Sequence, residues 1–412
     1  MTTTAPTTAK RRLPLNVWVM TATSFLTDVS TEMIVHVLPL FLANVLGAST
    51  AIIGLIEGAA ETLSSLLKIV SGRISDRLGS RKWPAVAGYA LSSISKPFLY
   101  VASNAAIVSA SRLADRAGKG IRTAPRDALI ADSIDPEHRG AAFGLHRAGD
   151  TAGAVVGIII ALIVVLATQS QTLTLSRETF QILVLFAMIP AFAGVIVLSV
   201  GARDVARRSS AESEAPTARA SWRALSPDFK TLLLAVALFT LGNSADAFLI
   251  LRAQDQGMSV AGILALLIAF NTVYALLSAP LGTLSDRIGR RRLIVGGWLL
   301  YGLVYLGFAA ASGPAMIVVL FLLYGVYYAA AEGAGKALVA DLVPAEQRGT
   351  AYGLYNGVVG IMALPASALA GVLWQGIGTW PGLGPGAPFA VGALLALGAS
   401  GILLLRWRGR AA

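Results

Sequence analysis

The feature that most restricts the fold is a succession of apolar runs, near 15–43, 52–71, 84–102, 105–124, 141–167, 180–202, 229–251, 261–281, 293–311, 315–338, 350–374 and 387–406. A hydrocarbon layer of about 30 Å takes roughly 20 helical residues at about 1.5 Å each, so each run can cross it once. Backbone polar groups inside lipid must be satisfied within the spanning structure, which leaves helices or a closed barrel. A barrel would show short segments of alternating polarity, and the runs do not alternate. The chain is therefore expected to be an all-α polytopic membrane protein with twelve transmembrane helices. Composition agrees: 55% of the 412 residues are hydrophobic and 13% charged, more apolar material than a soluble chain of this length needs. The first run is long, carries Asp28 and Glu32 and lacks a small-residue cleavage site, so it is expected to stay in the mature protein. There is no cysteine, hence no disulfide framework and no thiolate metal site.

A net charge of +11 in a soluble chain would point to nucleic acid. Here the basic residues sit between the apolar runs. Lys10, Arg11 and Arg12 precede the first; Arg73, Arg77, Arg81 and Lys82 follow the second; Arg287, Arg290, Arg291 and Arg292 follow the eighth; Arg406, Arg408 and Arg410 close the chain. Connectors of the other set offer little beyond Arg177 and Arg252. The positive-inside bias then predicts a multi-pass protein of the cell (inner or plasma) membrane with both termini cytoplasmic, and no nucleic-acid partner. Its surroundings are the lipid bilayer, and a monomer suffices for such an architecture.

The second half of the chain repeats the first. Gly72-Arg73-Ile74-Ser75-Asp76-Arg77-Leu78-Gly79-Ser80-Arg81-Lys82 recurs as Gly282-Thr283-Leu284-Ser285-Asp286-Arg287-Ile288-Gly289-Arg290-Arg291-Arg292. Asp132 with Arg139-Gly140, Gly144 and Leu145 recurs as Asp341 with Arg348-Gly349, Gly353 and Leu354. Each copy follows the same run of its half, as parallel internal repeats do. This predicts an N-terminal six-helix bundle over 1–201, a polar central loop over 202–228 that includes Arg207, Arg208, Ser209, Ser210, Glu212 and Glu214, and a C-terminal bundle over 229–412. Gly118-Lys119 matches Gly335-Lys336, but residues 120–127 have no counterpart and read as a basic insertion in the first half.

The doubled Gly-x-x-x-Asp-Arg-x-Gly-x-basic-basic stretch resembles the loop signature of the major facilitator superfamily, and the resemblance covers essentially the whole chain. It implies two six-helix bundles related by a pseudo-two-fold axis, rocking around a midplane cavity. It further implies a gating role for Gly72, Asp76, Arg77, Gly79 and their counterparts Gly282, Asp286, Arg287 and Gly289. Physically, the glycines let helix ends approach, and an aspartate can cap a neighbouring helix N-terminus or pair with arginines. Arg112-Leu113-Ala114-Asp115-Arg116-Ala117-Gly118 partly resembles a second superfamily motif, in which only Arg112 carries over, as an arginine near the proton pathway. Gly149, Gly153 and Gly157, spaced by four, resemble the glycine-rich antiporter motif, with Ala154 where that motif has proline; ordinary small-residue helix packing produces the same stripe.

Ionisable residues within the runs cost roughly 2.5–3.5 kcal/mol each on insertion scales and should face a cavity or one another. Asp28, Glu32 and His36 recur every four residues on the first helix, as do Glu57 and Glu61 on the second. At about 1.5 Å per residue, Asp28, Glu57 and Asp246 of the seventh helix fall at similar depths. These carboxylates, with Arg112, Arg147 and Asp150, are the candidates for proton coupling or substrate binding; structural pairing with Lys68, Lys96, Arg112 or Arg147 is the competing role for Asp28 and Glu32. His36 with nearby carboxylates could also take a divalent ion, although no dedicated metal site is expected. No phosphate loop, nucleophile elbow or zinc spacing occurs, so no enzyme and no cofactor are expected. The expected function is secondary active transport of a small solute by alternating access, with proton-coupled efflux by antiport favoured. Facilitated or symport uptake, divalent-metal export and a non-transporting sensor are the alternatives.

Overall fold

The computed structural model describes residues 13–135, 138–169, 172–205, 225–344 and 347–407. Within helices, the side chains of Arg73, Asp76, Glu332 and Trp407 are not described. The basic residues at positions 10–12, most of the predicted central loop, and Arg408 and Arg410 lie outside the described residues.

Twelve helical passages follow one another, and among the described residues no β-strand is present. α1 runs Leu15–Val35 and, after a break, continues through Leu38–Leu40 into a π-helical turn, Phe41–Val45. Then come α2 (Thr50–Leu78), α3 (Lys82–Tyr100), α4 (Ala105–Asp132), α5 (Arg139–Gln169) and α6 (Arg177–Gly201). In the second half α7 is in two pieces, Pro227–Gly242 and Ala247–Asp255, followed by α8 (Val260–Ile288), α9 (Arg290–Ala309), α10 (Pro314–Leu342), α11 (Arg348–Gln375) and α12 (Ala387–Trp407). Ten of these passages are long and apolar enough to cross a membrane by composition alone. The other two, α3 and α4, are the ones that bury Lys96, Arg112 and Arg122. The chain is thus a multi-pass membrane protein, with large side chains such as Ile189, Val200, Leu276 and Leu405 exposed where lipid would cover them.

The repeat extends to the helix ends. Ser49 accepts a hydrogen bond from the Ile52 N–H at the start of α2, and Ser259 accepts one from the Gly262 N–H at the start of α8. At the far ends the chain turns at Gly79 (φ +66°) and Gly289 (φ +92°), a backbone region that disfavours side chains. The signature therefore begins inside the helices. Residues 72–78 and 282–288 form the last turns of α2 and α8 and are not connector: both helices run up to the glycine, and in α8 the Gly289 N–H donates to the Ser285 carbonyl.

The supposed basic insertion is not an insertion. α4 and α10 have 28 and 29 residues, and their ends match without a gap, Ala105 to Pro314 and Asp132 to Asp341. The mismatch came from aligning Gly118-Lys119 with Gly335-Lys336. In the structural register Lys119 takes the place of Tyr328, and Asp115 that of Tyr324. α4 was also expected to end near 124. It continues through Pro125 to Asp132, as a transmembrane helix can when its neighbours satisfy the freed backbone groups.

The halves meet chiefly through α2 against α11. Glycines bring these backbones together: a Cβ on Gly54 would lie 2.1 Å from the Ser367 carbonyl oxygen, and one on Gly371 2.3 Å from that of Thr50. Thr50 and Thr62 donate across the seam to the carbonyls of Gly371 (3.0 Å) and Gly360 (2.7 Å). Beyond them, Asn44 and Gln254 exchange amide hydrogen bonds of 3.1 and 2.8 Å, and the Val260 N–H donates to the Thr172 carbonyl at 3.3 Å. All these links lie from the middle of the bundle to the end away from the basic connectors.

At the basic end, ion pairs form within each half. Arg81 pairs with Asp132 (3.5 Å), and its counterpart Arg290 pairs with Asp341 and with Asp286 (3.6 Å). Arg291 approaches Asp228 at 3.9 Å. The cap at the start of α3 comes from an unanticipated residue, Asp204, whose carboxylate accepts from the Ser80 hydroxyl (2.6 Å) and from the N–H groups of Arg81 (2.8 Å) and Lys82 (2.9 Å). Partial burial opposes its ionisation, but these hydrogen bonds outweigh that and hold the carboxyl below the usual carboxylate range.

Candidate functional site

A cavity of about 520 Å³ lies between the halves. Both helix breaks open onto it: His36 after the first piece of α1, and Asn243 to Asp246 between the pieces of α7. Unwound backbone at membrane depth is tolerated where it is buried in protein or lines a polar cavity. There the freed groups find partners. Ser367 accepts from the Ala245 N–H at 3.2 Å, and Tyr301 donates to the Gly242 carbonyl at 3.0 Å.

The first-half wall is charged. Arg112 projects from α4 toward α2 and grips Glu57 with two parallel bonds, Nε to Oε1 at 3.1 Å and Nη2 to Oε2 at 2.7 Å. Only 5% of the arginine side chain and 10% of the glutamate are exposed, so this is a desolvated fork-on-fork pair. Asp115 is 3.7 Å from the same guanidinium. One turn toward the basic end, Arg116 faces Glu61 more loosely, at 3.8 Å. Glu32 and His36 close a third pair at 2.7 Å, one turn apart on α1. Lys119 completes the wall.

The second-half wall is aromatic. Tyr324 and Tyr328 of α10 line it beside Asp246, and behind them Tyr301, Tyr305 and Tyr327 form a packed cluster with ring centroids 4.0–6.3 Å apart. Tyr324 donates to Asp246 at 3.4 Å. An adjoining lobe of about 240 Å³ reaches Phe270 and Tyr274 of α8.

Of the predicted residues, Glu32, Glu57, Glu61, Arg112 and Asp246 line this cavity together. Asp28 lies one turn from Glu32, in a second group of charges inside the first half with Asp150, Arg122 and Lys119 near it. Asp150 is 3.7 Å from His146, and Arg122 donates to the Ser92 hydroxyl at 2.7 Å while its guanidinium lies over the Tyr89 ring. Arg147 is exposed on the outer face of α5 and is not among the cavity residues. The glycine stripe of α5 packs on α1. A Cβ on Gly153 would lie 2.5 Å from the Phe25 carbonyl oxygen, and one on Gly157 2.5 Å from that of Val29. Among the signature residues Arg77 and Arg287 are exposed, and Asp286 reaches Arg290.

Reasoning from sequence did not assign Arg116, Lys119, Asn243, Tyr324 or Tyr328 to the cavity. The signal for the first two was present: Arg112, Arg116 and Lys119 fall at helical spacing on one face of α4. Among the described residues no group of three or more acidic or histidine side chains could hold a metal ion. Glu32 and His36 offer two ligands, fewer than such sites use.

Two sets of six helical passages around a charged cavity are the architecture of a membrane transporter. The profile of the Major Facilitator Superfamily matches residues 20–269 and again 232–412, and the chain belongs to that family. It is 39% identical over 403 residues to an uncharacterized MFS-type transporter of Methanocaldococcus jannaschii, spanning 96% of this chain and 95% of the relative. A multi-drug resistance efflux pump, PmrA of Streptococcus pneumoniae, is 24% identical over 369 residues, 84% of this chain and 87% of that one. Two solved folds superpose over nearly the full length. One is a bacterial homologue of the human lysosomal transporter Spinster in an inward-facing, unoccupied conformation (TM-score 0.73, 17% identity, 96% of each chain). The other is the nucleoside transporter NupG (TM-score 0.75, 14% identity, 95% of this chain and 99% of that one).

Proposed function

We propose that this protein is a proton-coupled exporter of a small solute in the cell membrane, working by alternating access as an antiporter. The carrying observation is the central cavity, where ionisable groups from both halves share one space at membrane depth. Such groups are costly to keep in lipid unless they serve transport. The basic connectors make their end of the bundle the cytoplasmic one, with both termini there. The links from Asn44 and Gln254 to Thr62 and Gly360 then close the outer end, so this is an inward-facing state. Its moving bodies are the bundles 1–201 and 229–412, joined by the loop 202–228. Likeness to an efflux pump favours the outward direction.

Protons bind within the chain at Asp28 and Glu32, with Glu57, Glu61, Asp150 and Asp246 as further carboxylates of the pathway. Arg112 neutralises Glu57, and Arg147 remains outside the cavity. The paired signatures, Gly72, Asp76, Arg77 and Gly79 with Gly282, Asp286, Arg287 and Gly289, govern the exchange between states.

The test uses proteoliposomes loaded with substrate and given a proton gradient. Asp28→Asn or Glu32→Gln should abolish gradient-driven efflux while exchange of labelled for unlabelled substrate continues, since exchange needs no net proton movement. Efflux like that of the wild type in both variants would remove the two residues from coupling.

A further inference from the structure

The cavity holds charges of both signs, and most cancel locally. Glu57 is taken by Arg112, Glu32 by His36 and Glu61 by Arg116. Two lining groups remain. Among the described residues, no hydrogen bond or ion pair holds the Lys119 ammonium, although Glu61 and Asp28 lie near enough to act on its charge, and Asp246, with His36 in its neighbourhood, accepts only from the hydroxyl of Tyr324 at 3.4 Å. One is positive and belongs to the first half; the other is negative and belongs to the second. Both have access to the cavity, and Asp246 is exposed to it. The rings of Tyr324 and Tyr328 line the same cavity.

Two opposite charges on the walls of the two halves, neither tied into an ion pair, are free to receive the charges of a solute. A simple anion would satisfy Lys119 and leave Asp246, and a simple cation the reverse. A divalent metal would be repelled by Lys119. We propose that the transported solute is zwitterionic: a carboxylate or other anionic group pairs with Lys119, a cationic amine pairs with Asp246, and the apolar or aromatic body between them stacks on Tyr324 and Tyr328. A volume of about 520 Å³ admits a molecule of dipeptide size. Aromatic faces suit such a body and also favour its cationic end. Because the two anchoring groups lie on different halves, a solute that lacks either charge ties only one of them. The inference rests on the transport reading for its meaning but concerns binding, and the two can fail separately.

The test is a thermal-stability and calorimetric comparison in detergent with four matched probes. They are the dipeptide tyrosyl-phenylalanine, its N-acetyl form, its C-terminal amide and the doubly blocked form, backed by a panel of other aromatic zwitterions similarly blocked. Zwitterions should bind at least tenfold more tightly than either singly blocked form. Lys119→Gln should erase the preference over the amide, and Asp246→Asn the preference over the N-acetyl form, whereas Lys119→Arg and Asp246→Glu should largely retain both. Equal binding of blocked and unblocked probes, discrimination that survives both neutral variants, or no binding by any zwitterion would overturn the proposal. Zwitterions that bind as described but are never moved across proteoliposomes would leave the site standing and overturn the transport reading.

Discussion

The pair formed by Glu57 and Arg112 is the least exposed of the cavity charges, and its two partners are not equivalent when altered. Removing the carboxylate leaves a guanidinium that cannot lose its proton, with Asp115 at 3.7 Å. Breaking a buried pair from one side typically costs about 3–5 kcal/mol. Glu57→Gln should therefore lower the melting temperature of the detergent-solubilised protein markedly. Glu61→Gln, which loosens a 3.8 Å contact to a half-exposed glutamate, should cost well under half as much. An equal loss in both would contradict the geometric ranking. The sequence put Glu57 and Arg112 on neighbouring helices at compatible depth, and spacing alone could say no more. Whether a carboxylate pairs or stays free depends on the rotation of each helix about its axis, which a run of apolar residues hardly encodes. Asp246 shows the same limit from the other direction: its depth was readable, but the break of α7 that turns it into the cavity was not.

Helices were the most legible level, because bilayer thickness fixes their length from outside the sequence. Each of the twelve expected runs has its passage, and the errors sit at the ends. They arose where polar residues continue a helix beyond the hydrocarbon, as in residues 72–78 and 125–132. Two glycine-mediated seams now separate folding from movement. Gly153 packs α5 on α1 within one half, whereas Gly58 packs α2 on α11 between halves, where a Cβ would lie 2.8 Å from the Leu364 Cα. Overpacking a tight contact typically costs about 1–3 kcal/mol. Gly153→Ala should appear as lost thermal stability. Gly58→Ala should instead leave each bundle sound and weaken the closed end, raising the labelling rate of a cysteine placed on the cavity side of α11, such as Ala363→Cys, by a reagent confined to that end. The outcome fails if both variants change stability alike and neither changes labelling.

Over the whole molecule the repeat foretold the symmetry but not how unequal the halves are. α4 supplies Asp115 and Lys119 where α10 supplies Tyr324 and Tyr328, and the matching caps at Ser49 and Ser259 show that the scaffold beneath is the same. The proposed orientation can be checked directly, since a chain without cysteine gives no background. Single cysteines at Ser210 and Ser312 should react with an impermeant reagent from opposite faces of sealed vesicles, and reaction of both from one face would reverse or break the topology.

The amide pair at the far end has a bearing of its own. Asn44 and Gln254 hold the halves together with four polar atoms and no formal charge. Neither carboxamide titrates in water, and ions in solution scarcely screen a dipole-to-dipole contact at 3 Å separations. On the side that would meet an acid exterior, the strength of this clasp is therefore the same in brine as in fresh water and at acid as at neutral pH. An environment that swings in salinity or acidity would load the cavity differently without loosening the door in front of it.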